Sequence, residues 1–63
     1  MPIATINIIE GRTDEQKERL IVKMTEAIHE AIDAPMPSIR IIINEMPKQN
    51  YAIAGQSIKK MDK

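Results

Sequence analysis

The chain has 63 residues, of which 43% are apolar, and nine basic side chains balance nine acidic ones to a formal charge of zero. That length allows one domain, residues 1–63, close to the lower limit for a chain that folds unaided. With no cysteine and a single aromatic, Tyr51, neither disulfides nor aromatic burial can staple it, and without a basic excess no nucleic-acid face is expected.

"MPIATINIIEGR" opens the chain. No stretch has the apolar length of a membrane span, and this apolar start lacks a basic region and runs into Glu10. The expectation is therefore a cytoplasmic protein, with neither membrane nor nucleic acid as partner. Pro2 follows the initiator methionine directly. If Met1 is removed, Pro2 carries a secondary amine, which could act as a base without His or Cys; the plainer reading is a proline starting an edge strand.

Residues 2–9 predict a strand ended by Glu10-Gly11-Arg12. Alternation puts Ala4, Ile6 and Ile8 on one face and Ile3, Thr5, Asn7 and Ile9 on the other, so both faces carry isoleucine. Thr13 to Gln16 form a capping-box pattern, with Asp14 and Glu15 in the first turn where the helix dipole favours negative charge. Leu20, Ile21, Met24, Ala27, Ile28, Ala31 and Ile32 then make one apolar stripe of a helix. Val22 points away from it, toward solvent or a neighbouring subunit. His29 also lies off the stripe and reads as solvated or at an interface. Pro35 ends the helix near Asp33-Ala34.

"APMPS" is a stiff connector, and residues 39–46 predict a second strand, with Ile39, Ile41 and Ile43 on one face and Arg40, Ile42 and Asn44 on the other. The tail, with turn signals at Pro47 and Gln49-Asn50, predicts a short hairpin or arm. Strand, helix, strand is a β-α-β unit of the α/β class with parallel strands. A parallel sheet needs both faces covered, and one helix covers one face. The second isoleucine face calls for another copy of the chain, so self-association is expected.

No Ser-His-Asp set can be proposed, since a triad needs an orienting partner for the single His29. Two glycines exclude a glycine-rich phosphate loop, and the carboxylates cluster on the solvated helix face, so no metal is expected. Arg12 follows the first strand beside a helix N-terminus. Arg40 interrupts an isoleucine run on a face that should be partly buried. Each arginine by itself reads first as an ion pair, with Glu10, Glu45 or a partner's carboxylate, and second as a fork for a substrate carboxylate.

"MPIATINIIEGRTDEQKERL" and "APMPSIRIIINEMPKQNY" together resemble the 4-oxalocrotonate tautomerase family over nearly the whole chain. The resemblance implies removal of the initiator methionine, Pro2 as general base, Arg12 and Arg40 as carboxylate-binding groups, and Tyr51 lining the pocket. It implies hexamers, trimers of dimers with sites built from more than one subunit, and a small carboxylated enol or keto substrate. No cofactor is called for: one amine of suitable pKa can take a proton from a 2-hydroxydienoate oxygen and return it to a distant carbon, while guanidinium groups stabilise the developing charge.

Tyr51 stands where the best-known members carry phenylalanine. "YAIAG" has alanines where they have glycines, so this backbone is expected to avoid glycine-only angles. Two alternatives accompany the reading. One is a non-catalytic oligomer that keeps Met1, with the Pro2 nitrogen an amide; the other is a tautomerase for a monocarboxylated enol such as phenylenolpyruvate.

Overall fold

A computed structural model describes residues 1–61. β1, Ile3–Ile9, leads through a turn into α1, Asp14–Ile32. One turn of 3₁₀ helix, Met36–Ser38, precedes β2, Arg40–Met46, and a second such turn, Lys48–Asn50, precedes a hairpin of β3, Ala52–Ile53, and β4, Gln56–Ser57; α2, Ile58–Met61, follows. β1 and β2 pair in parallel, from Ile3 with Arg40 to Ile9 with Met46, so the β-α-β unit stands as expected. The tail is the hairpin, with Ala52 opposite Ser57 and Ile53 opposite Gln56.

Local chemistry sets the ends of α1. The Thr13 hydroxyl accepts from the Gln16 amide at 3.1 Å and the Gln16 side chain accepts from the Thr13 amide at 2.9 Å, completing the capping box. At the other end Asp33 turns left-handed, with φ of 60°, and donates its N–H to the His29 carbonyl at 3.0 Å. His29 is not simply solvated. It is half-buried, and its Nδ1 lies 2.6 Å from the Ala34 carbonyl, an acceptor that makes Nδ1 the donor. The histidine thereby ties the chain leaving α1 back onto the last helical turn.

The in-register pairing sorts the sheet into two unlike faces. Ala4, Ile6, Ile8, Ile41 and Ile43 are half-buried on the helix side. Ile3, Thr5, Asn7, Arg40, Ile42 and Asn44 are exposed on the other, where the chain supplies no second layer. The expected partial burial of Arg40 is absent for that reason. Val22 is exposed, and so is much of the end of the helical stripe, at Ala27, Ala31 and Ile32. Only Ala34 and Ile39, flanking the proline-stiffened connector, fall in the buried class among the described residues.

The whole is a plate of 43 × 24 × 14 Å with a radius of gyration of 14.8 Å, against about 11 Å for a compact domain of this length. No helix among the described residues is long and apolar enough to cross a membrane.

Candidate active site at the two ends of the sheet

Pro2 and Arg40 meet where the parallel strands begin. Pro2 lies just outside β1, yet its carbonyl continues the ladder by accepting the Arg40 N–H at 3.0 Å. A half-buried pyrrolidine ring and a residue bearing a guanidinium are thus carried by adjoining backbone. The Arg40 Nη1 donates to the Pro37 carbonyl at 2.8 Å, which steers the side chain toward the 3₁₀ connector and leaves further N–H groups of its fork for a ligand. Arg40 forms no ion pair with Glu10 or Glu45, as both carboxylates are engaged elsewhere. With Met1 attached, the Pro2 nitrogen is a tertiary amide without basicity; removal of that residue exposes the amine.

Arg12 and Tyr51 lie at the other end. Gly11, at φ of 124°, takes a backbone conformation that L side chains rarely adopt and turns the chain from β1 toward α1. Arg12 follows, exposed, on a groove shared with Ile8, Ile9, Gln16, Lys17 and Leu20. Among the described residues no ion pair involves it. Tyr51 is exposed and follows the Lys48–Asn50 turn beyond the end of β2. Between the two ends runs β1, seven residues long, or about 23 Å at the usual strand rise. One chain therefore brings Pro2 to Arg40 and not to Arg12 or Tyr51.

The Arg12 end is held by charge. Lys17 Nζ reaches Glu45 at 3.1 Å and Asp14 at 3.4 Å. The hydrogen bond that Lys17 donates to Glu45, with that to Asp14, raises the Lys17 pKa above its ordinary value against a smaller desolvation. Glu10 donates its amide to the Met46 carbonyl at 2.8 Å and accepts the Lys48 N–H on its carboxylate at 3.1 Å. These contacts were not legible in the sequence, where Glu10 and Glu45 stand only as acids near two arginines. No group of three or more His, Cys, Asp and Glu able to hold a metal occurs among the described residues.

A family model described as "Tautomerase enzyme" matches residues 2–61. The chain belongs to the tautomerase family. A 2-hydroxymuconate tautomerase of Stutzerimonas stutzeri is 58% identical to this tautomerase over 59 residues, 94% of each chain. Among solved structures, one of the 4-oxalocrotonate tautomerase isozymes of Methylibium petroleiphilum superposes with a TM-score of 0.92 at 45% identity, over 98% of this chain and 100% of that one. A heterohexameric 4-oxalocrotonate tautomerase of Chloroflexus aurantiacus matches with a TM-score of 0.91 at 33% identity, over 97% and 98% of the two chains. The resemblance to the 4-oxalocrotonate tautomerases is thereby borne out in both sequence and fold, and the chain is an isomerase-type enzyme.

Proposed function

We propose that this tautomerase, after loss of Met1, converts a 2-hydroxydienoate of the 2-hydroxymuconate type to its conjugated 2-oxo acid. Pro2 is the general base: its neutral amine takes the hydroxyl proton and returns a proton to the distant carbon. Arg40 faces the 2-oxygen and the neighbouring carboxylate and stabilises the charge that develops there. Arg12 holds the second carboxylate, and Tyr51 lines the pocket. The reading rests most on the Arg40 N–H bonded to the Pro2 carbonyl, which supports it by carrying the two residues on adjoining backbone.

The distance from Pro2 to Arg12 supports a site assembled from more than one copy within a single-domain homo-oligomer, a hexamer as in the heterohexameric relative. The uncovered sheet face supplies the apolar surface for that assembly. A cysteine-free chain suits the reducing cytoplasm.

An ordinary α-amino group titrates near about 7.7–8.0. On this reading a guanidinium and apolar surroundings at the freed Pro2 nitrogen disfavour its charged form, so activity should rise with pH through one ionisation. A halopropiolate, drawn in by the arginines, should label Pro2 and abolish activity, as peptide mass spectrometry of the processed protein would read. A label on lysine, or full activity in protein whose intact mass retains Met1, would refute the assignment. Turnover of a dicarboxylated dienol at least tenfold better than of phenylenolpyruvate would exclude the monocarboxylate alternative.

A further inference from the structure

We infer that Glu10 is a positioning residue for the reaction, a clamp that places the Arg12 segment by tying it to the turn before Tyr51. The inference rests on the roles proposed above for those two residues. Glu10 lies two residues before Arg12, and its carboxylate accepts the N–H of Lys48, three residues before Tyr51 and 38 away in sequence. Its own amide meanwhile extends the ladder by one bond, to the Met46 carbonyl. One residue thus ties both strands' exits twice, through main chain and side chain.

The chemistry explains why a carboxylate stands there. Lys48 opens the 3₁₀ turn, and the first amides of a helical turn have no partner within it. The cap position belongs to Pro47, which makes no side-chain cap hydrogen bond and has no side-chain oxygen to do so. Glu10 supplies the missing acceptor from across the fold, in a charge-assisted bond. Without it, the turn that sets the direction of Tyr51 and the bend that carries Arg12 keep their local structure and the Glu10–Met46 main-chain bond but lose the side-chain tie between them. The bend is otherwise free to shift, since Gly11 restrains its backbone least.

Steady-state kinetics of the processed oligomer test this with two substrates, a dicarboxylated dienol and phenylenolpyruvate, whose single carboxylate is left to Arg40. Glu10→Ala should raise KM for the dicarboxylate about tenfold, change its kcat less, and leave kcat/KM for the monocarboxylate within about twofold. Glu10→Gln, whose amide oxygen still accepts, should restore most of the loss. Combined with Arg12→Ala, Glu10→Ala should cost little more than Arg12→Ala alone, since a clamp acts through the residue it places.

Lys48→Pro removes the donor itself and keeps the helical φ, and the extended Pro47 tolerates a following proline. It should reproduce the Glu10→Ala pattern, measured against Lys48→Ala as side-chain control, and it decides the matter if Glu10→Ala does not assemble. Equal losses on both substrates, or full additivity with Arg12→Ala, would overturn the clamp and leave Glu10 a purely structural residue. Unchanged kinetics in Arg12→Ala itself would instead remove the proposed role of Arg12, and the clamp with it.

Discussion

At the scale of single residues, the hairpin tip departs from expectation. Ala54 was expected to avoid glycine-only angles; instead it sits at φ of 53°, with Gly55 at 83°. Two successive positive angles are what a two-residue connection needs to match the twist of its strands, and the left-handed region costs a residue with a Cβ about 1–2 kcal/mol. Ala54→Gly should therefore raise stability by up to about 1 kcal/mol, the relief being offset in part by a freer unfolded chain. Denaturant titration of the assembled protein would check it, and a destabilised Ala54→Gly would mean that the alanine methyl packs usefully in the assembly. The arginines carry a related lesson. Their residue types announced anion binding, but their partners did not show in the sequence: the Pro37 carbonyl takes Arg40, while Lys17 and the Lys48 amide occupy the acids assigned to pair with them.

At the scale of elements, α1 was readable because its cap, stripe and stop are all local signals, and the helix runs Asp14–Ile32 within a residue of where they place it. The strands were readable by alternation, and their parallel pairing follows from the β-α-β crossover once both are placed. What stayed hidden spans long sequence separations. Lys17 joins the first turns of α1 to the end of β2 through Glu45, 28 residues away. Because Lys17 is raised in the folded state, the pair's stabilisation is fully present below the unfolded value, 10.5, and is lost as pH climbs through the raised one. The thermal midpoint of the wild type should exceed that of Lys17→Met at neutral pH, by a margin that closes in strong base. A margin independent of pH would trace the difference to packing of the lysine stem instead.

For the whole molecule, the telling dimension is the 14 Å thickness, that of a single sheet with one helix laid on it. Ile3 and Ile42, 62% and 47% exposed on the uncovered face, are positioned to stabilise the assembly far more than the isolated fold. Ile42→Asp should dissociate the oligomer by sedimentation velocity and abolish activity together; retention of the assembled state would move the subunit contact elsewhere. The two-faced strand pattern made this need for a partner legible from the sequence, whereas the partner's geometry was not, since no local signal specifies how copies align.

That thin shape also bears on abundance in the cell. With only Ala34 and Ile39 buried among the described residues, the folded chain gains stability by binding further copies, so stability and concentration rise together. Where the chain is present near the dissociation constant of its assembly, halving expression should remove more than half of the catalytic capacity, because scarcity dilutes the partners as well as the sites. Gene dosage, as much as turnover, becomes a control on the flux this protein can carry.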